Sequence, residues 1–316
     1  MEYPIEDARD ASFFKLTTFS KYKRVDVKRA LLNSLVDSQL EPCCYWTTEL
    51  VCSGNFADLW ETILFYFGKY VHAANPKLAV YLEIRFNTFR DLAKAEAVEL
   101  ELRNKVVIRQ LFAELMCVLC LSPKKLGCDA VKVKKEELET PQGRFKATTA
   151  DFVRRYFKGG DPLELYPVMN EIAYSLSADK TMEACYWLEW LMLYDATKKP
   201  PPRCIARNYV EGKRQATDTI WMVWDVLLAY AKDKGPLTEK IALATCRLFC
   251  LHYTPAANER RRFLLYFVVA LICEDIKLDA EMIADRKVID AIFPKCSLLY
   301  RDIRKHSVKL KPTVTK

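Results

Sequence analysis

The sequence predicts an all-α protein, two related helical halves from an internal duplication, packed as a multi-helix array. Three observations predict it. Apolar residues recur with a period near 3.6, and no segment sustains a period of two. Only 8 glycines occur in 316 residues, few for the φ > 0 turns that sheets and phosphate-cradling loops use. One stretch is written twice. Cys43-Cys44-Tyr45-Trp46, Leu50 and Trp60 return as Cys185-Tyr186-Trp187, Leu191 and Trp221. Ser34-Leu35 precedes the first copy and Ser175-Leu176 the second, at the same offset. Self-similarity at long period is a repeat signature.

The elements follow in order. Residues 1–22 turn from acidic to basic and read as an arm or cap. Asp26 can cap a helix through Asp37, with Val27, Ala30, Leu31 and Leu35 at helical spacing. Pro42 opens the next helix, which ends at Gly54. Asn55 caps a third, with Asp58 against its positive end. Asn75-Pro76 starts a helical pattern that runs to Arg103 with a break near Leu92, and Asn104 caps another that stops before Pro123. Residues 123–148 are charged and turn-rich, and are expected to be an exposed link between the halves. A short helix with Phe152, Arg154, Arg155 and Phe157 should follow, ending at Gly159-Gly160. Second-half helices are expected over 163–177, 181–195, 213–233, 238–252, 256–274 and 280–292. The expected domains are therefore 1–122, a link at 123–160, a second helical unit at 161–300 and a basic tail at 301–316.

Composition bounds the class. Hydrophobic residues make up 51%, ample for a core. The net charge of +8 and pI of about 8.8 suit nucleic acid, an acidic membrane surface or an acidic protein partner. The 12 cysteines lie mostly in apolar helical runs, and the acidic start at Met1-Glu2-Tyr3-Pro4 has no signal-peptide pattern. Reduced thiols in cytosol or nucleus, and a protein that is not secreted, are expected. The longest uncharged apolar run, 263–273, falls short of the ~20 residues of a membrane span and reads as a core helix.

Four constellations could carry function. Tyr45, Trp46, Trp60, Tyr186, Trp187 and Trp221 could stack on bases, but they share apolar faces with Leu50 and Ile63 and read as repeat anchors in the core. Cys117, Cys120 and Cys128 lack the second short-spaced pair of a zinc site. Cys246, Cys250 and His252 are the better metal candidates, although core cysteines are the simpler reading. His72, His252 and His306 are the only histidines, no nucleotide-binding or metalloprotease motif occurs, and Glu183, Glu189 and Asp195 read as solvated surface; no catalytic residue and no cofactor are expected. The basic clusters are the strongest handle. Lys21, Lys23, Arg24, Lys28 and Arg29 form one, and Lys132, Lys134 and Lys135 a second that Arg144, Lys146, Arg154 and Arg155 continue. Arg260, Arg261 and Arg262 form a third, and the tail, with Lys309 and Lys311, a fourth. Converging on one face they would bind phosphates; dispersed, they are an ordinary soluble surface.

The stretch 43–54, with Leu59-Trp60-Glu61 and Asn75-Pro76-Lys77-Leu78, resembles an uncharacterised protein family of large double-stranded DNA viruses, the mimivirus-like and algal viruses, over about residues 25–90. More distantly, Tyr-Trp, Leu and Gly, then Asn-Pro, is similar to the helical collar of clamp-loader-type ATPases, which oligomerises and carries no chemistry. The viral resemblance implies a protein of a cytoplasmic virus factory or of the virion, with viral proteins as partners, and supplies no catalytic residue. The expectation is a non-enzymatic scaffold or adaptor, able to form homo-oligomers, that meets nucleic acid through the basic link and tail in replication, transcription or genome packaging. A minor capsid component is the alternative, and a metal or redox enzyme a third.

Overall fold

The computed structural model describes residues 3–278 and 287–308. Among them are twelve α-helices and no strand, with one isolated antiparallel bridge between Thr17 and Lys23. The first six helices are α1 (Arg24–Val36), α2 (Leu40–Cys52), α3 (Phe56–Tyr66), α4 (Leu78–Lys94), α5 (Val106–Leu121) and α6 (Tyr166–Ser177). They are followed by α7 (Thr181–Thr197), α8 (Ile220–Lys234), α9 (Pro236–Phe249), α10 (Ala256–Arg260), α11 (Arg262–Cys273) and α12 (Lys287–Ile303). Most expected helices are present. The short helix expected around Phe152 is a series of turns instead, and the helix expected to end at 292 runs on through Pro294 to Ile303.

Two compact units divide the chain at other points than expected. One comprises Met1–Tyr66, Ile84–Pro123 and Glu281–Lys316, the other Phe67–Glu83 and Lys124–Ala280. The segment expected as a link therefore belongs to the second unit.

In the first unit α2 packs on α1, α5 and α12. Trp60 is buried among Phe86, Phe89 and Phe112, with ring centroids 5.0, 5.9 and 5.9 Å away. Large aromatic side chains bury the most apolar area per residue, and each is worth about 1.5–3 kcal/mol of transfer energy. The N-terminal arm is docked. Ile5, Phe14 and Phe19 are buried, and the Arg9 guanidinium pairs with Asp7 at 2.7 Å and lies 4.6 Å over the Phe19 ring.

In the second unit the apolar run 263–273 forms most of α11, which packs on α6, α7, α8 and α9 as the core helix that the sequence predicts. A π-helical turn, Phe67–Val71, comes close to it. A Cβ on Gly68 would stand 2.9 Å from the Phe263 carbonyl carbon, so only glycine permits the approach.

The doubled Ser-Leu … Cys-Tyr-Trp frame has a structural meaning. In α1 the Gln39 amide donates to the Ser34 carbonyl at 2.8 Å and the Ser38 amide to Leu35 at 3.2 Å. In α6 the Lys180 amide donates to Ser175 at 2.8 Å and the Asp179 amide to Leu176 at 3.4 Å. Both are Schellman turns, and Ser38 (φ 55°) and Asp179 (φ 53°) hold the left-handed position that glycine usually fills. Each turn reverses the chain into a helix whose Tyr-Trp pair meets edge to face, at 4.9 Å for Tyr45–Trp46 and 5.0 Å for Tyr186–Trp187. Beyond the turn, α1 packs on α2, α3 and α5, while α6 packs on α7, α8 and α11.

The proline-rich loop between α7 and α8 is fastened by a buried ion network. Arg207 donates to Asp161 at 2.7 Å and to Asp225 at 2.9 Å, and its side chain is 1% exposed, that of Asp161 0%. Burial pushes the Asp161 carboxyl up, but the Arg207 hydrogen bonds and the amides of Lys158 and Ile205 outweigh it and hold its pKa below the usual value.

Two predictions follow from these turns and this network. Ser38→Gly or Asp179→Gly should raise stability by about 0.5–1 kcal/mol, while Ser38→Val should lower it by about 1–2 kcal/mol, measured by urea unfolding. Arg207→Met strands two carboxylates and should cost about 3–5 kcal/mol at pH 7. Because a depressed carboxyl pKa stabilises above the unfolded value and loses that contribution on acidification, the gap from wild type should narrow below about pH 4.

Candidate functional site

The segment 124–153 is sewn to the second unit by side chains that wait for its backbone. Lys69, buried in the π-helical turn, donates to the Cys128 carbonyl at 3.0 Å and pairs with Asp129 at 2.6 Å. The Gly127 amide donates to the Lys69 carbonyl at 2.7 Å, and the Val131 amide to the Tyr266 hydroxyl at 3.0 Å. Trp190 Nε1 donates to the Glu137 carbonyl at 3.0 Å. Further on, buried Glu171 accepts the amides of Lys146 and Ala147 at 2.9 and 2.8 Å, and Asn170 binds Val153 and Thr149. The stretch expected as an exposed link is thus anchored at intervals, and its lysines project from a held backbone.

The basic candidates divide by their surroundings. Lys132, Lys134 and Lys135 are exposed and make no ion pair among the described residues. Arg144 is exposed, lies 3.7 Å over the Tyr186 ring and pairs with Glu137 at 3.6 Å. Arg154 and Arg155 are exposed and pair with Asp151 and Asp233 at 3.5 and 3.0 Å. The run 260–262 does not act as one cluster. Arg260 points to solvent, whereas Arg261 is buried, 4% exposed, and donates to the Phe249 carbonyl. Arg262 pairs with Glu189 at 3.2 Å and Glu259 at 3.5 Å. Arg261 therefore cannot meet a phosphate, and Arg262 is already committed, because the junction of α10 and α11 turns successive residues in opposite directions. Lys309 and Lys311 lie outside the described residues.

Among the aromatic candidates, Trp60, Tyr186, Trp187 and Trp221 are buried, and Tyr45 and Trp46 are half-buried. The buried four have no face free for a base. Cys246 is buried, Cys250 half-buried and His252 exposed. No cluster of three or more His, Cys, Asp or Glu able to hold a metal occurs among the described residues. Cys117 and Cys120 are buried within α5.

Glu189 and Asp195 are the residues that the sequence reading misplaced. Neither is exposed: Glu189 is 7% exposed and accepts the Tyr266 hydroxyl at 2.7 Å, and Asp195 accepts the Thr219 hydroxyl. Burial raises both carboxyl pKa values, that of Asp195 to about 7. A signal was available, since both interrupt a run of Trp, Leu, Met and Tyr on α7, where a carboxylate is costly without a partner.

Compared with models of known families, with curated proteins and with solved structures, the chain matches none. No helix among the described residues is long and apolar enough to cross a membrane. The class defined on this footing is an all-helical protein with a held basic strip.

His72 yields a pH prediction. It is 6% exposed, lies in the left-handed region at φ 46°, and has a buried Nδ1 without a hydrogen-bond partner. Burial drives its pKa down to about 4, with Lys125 and Lys69 adding to the shift and Glu274 opposing it. The unfolded chain binds the proton more readily between about pH 4 and 6.5, so stability falls as pH drops through that window. Acidification from pH 7 to 5 should cost about 1–2 kcal/mol through this residue. His72→Asn, which tolerates the same φ, should remove that part of the slope in unfolding titrations at the two pH values.

Proposed function

We propose that the chain is a non-enzymatic helical scaffold or adaptor that associates with nucleic acid through Lys132, Lys134 and Lys135. One observation carries this reading: three exposed lysines without ion partners among the described residues stand within four positions of a backbone anchored on both sides. Held cations lose less freedom on binding than those of a floppy tail, and they neutralise phosphates without reading bases. Arg154, Arg155 and Arg260 are further exposed cations of the second unit that could meet phosphates. The surface pairs of the first two are weak enough for a phosphate to displace. Arg144 contributes less, being stacked and paired. A place in a large DNA virus, in its factory or virion and in replication, transcription or packaging, rests on the resemblance of residues 25–90. Descent of the two hairpins from one duplicated unit is part of this reading, supported by their shared turn and their edge-to-face Tyr-Trp pairs.

The test is binding to arbitrary duplex DNA, single-stranded DNA and RNA across a salt series. Wild type should bind them with little sequence preference and a steep salt dependence. The triple variant Lys132→Glu, Lys134→Glu, Lys135→Glu should weaken binding similarly on unrelated sequences and flatten the slope of log K against log salt by about 2–3. Unchanged affinity in the variant would remove this strip from the function. Absence of binding by wild type at low salt would transfer the reading to a capsid or protein-scaffold role.

A further inference from the structure

Within the second unit, the C-terminal half of α7, the proline-rich loop and the start of α10 and α11 line a cavity of about 480 Å³. That volume falls in the range of small-molecule sites. Its lining includes the apolar side chains of Met192, Leu193, Pro201, Pro202 and Pro255. It also carries four carboxyl side chains and three arginines.

The charges are unevenly satisfied. Arg203 is ion-paired with Asp218, whose other oxygen accepts the Tyr253 hydroxyl at 3.0 Å. Arg262 is shared between Glu189 and Glu259. Arg214 is exposed and unpaired among the described residues. Asp195 is the exception on the acidic side. Its Oδ2 accepts the Thr219 hydroxyl, and its Oδ1 is shielded from solvent with no hydrogen-bond partner. A buried acceptor without a donor costs about 1–3 kcal/mol.

We propose that this cavity binds a small organic cation, a primary ammonium or guanidinium on a short apolar stem, with Asp195 as its counter-ion. Of the four lining carboxylates, Asp195 alone has no cationic partner among the described residues, and a cation in the cavity would supply one. Two of the three arginines are already neutralised in place, and carboxyl groups outnumber arginines four to three, so the lining carries net negative charge once Asp195 is ionised. The apolar lining residues account for the stem. Burial holds the Asp195 carboxyl high, the Thr219 hydroxyl lowers it, Asp218 raises it and Arg203 lowers it. With its pKa at about 7, Asp195 charges across neutral pH, and a cation binds the charged form.

The experiment is calorimetric titration of the full chain with n-butylamine and butylguanidine, using n-butanol as the neutral probe of equal length. Both cations should bind at pH 8, n-butanol more weakly by about tenfold or more, and affinity at pH 6 should be about tenfold lower than at pH 8 as Asp195 takes up its proton. Asp195→Asn keeps the shape and should lose the cations' advantage over n-butanol. Met192→Trp, which fills the cavity from its apolar side, should abolish binding of all three and serves if the first variant does not fold. Equal binding of amine and alcohol, an affinity flat between pH 6 and 8, or an Asp195→Asn protein that still prefers the cations would overturn the proposal. The readout involves no nucleic acid, so it stands or falls apart from the lysine strip.

Discussion

How its helices end is the constraint on which this fold depends. A helix leaves its last carbonyls without intrahelical partners, and a chain that must reverse at once has to satisfy them within a few residues. Here the Schellman turn does so, with Ser38 and Asp179 at the left-handed position, and Gly54 (φ 69°) ends α2 with the same pair of bonds, from Gly54 to Val51 and from Asn55 to Leu50. A non-glycine residue in that region costs about 1–2 kcal/mol. The following helix offsets that cost by bringing Cys44 and Leu50, or Cys185 and Leu191, into the core. The doubled words of the sequence are therefore the residues on both sides of a reversal: Ser and Leu supply the carbonyls, and the cysteine and aromatic pair begin the packing of the next helix.

A second constraint concerns the chain between helices. Segments 124–153 and 198–219 hold little regular structure, yet their backbone groups and charges meet buried partners: Lys69, Glu171, Asn170 and Tyr266 for the first, and Asp161, which takes Arg207 and the Ile205 amide, for the second. Buried charges need partners, and each of these residues serves several donors or acceptors at once. Arginine suits the task best, since its fork reaches two carboxylates while remaining charged. Arg103, Arg109, Arg207 and Arg261 are buried in this way, whereas Lys132, Lys134 and Lys135 keep their charge at the surface.

This division explains what could be read in advance. Helix positions were legible because burial on one face imprints a local period, visible in Leu31 and Leu35 or in Ile241, Thr245 and Leu248. The core role of Trp60, Trp187 and Trp221 was legible for the same reason. The anchoring of the charged segment was not, because its partners are distant in sequence: Lys69 reaches Asp129, Glu171 reaches Lys146, and Tyr266 reaches Val131. The triple arginine read as a cluster because composition does not show that a break between α10 and α11 sends Arg261 inward and leaves Arg260 outside. The helix expected to end at 292 continues to Ile303 through Pro294, although proline disfavours a helix interior.

The strip and the cavity have opposite chemistry and share one physical element. The Tyr266 hydroxyl accepts the Val131 amide at 3.0 Å, one residue before Lys132, and donates to Glu189 at 2.7 Å in the cavity wall. Burial and the neighbouring carboxylate both push the phenol pKa up, so the hydroxyl keeps its proton and the pair of bonds keeps its direction. A phenol that donates to a carboxylate is polarised into a better acceptor, so the two bonds strengthen one another. Glu189 is in turn held by Arg262, and a cation near that pair competes for the same carboxylate. The amide that positions the lysine strip is thus one hydroxyl away from the charge balance of the cavity. Any free-energy coupling between the two sites would be reciprocal, a ligand on either biasing the other equally.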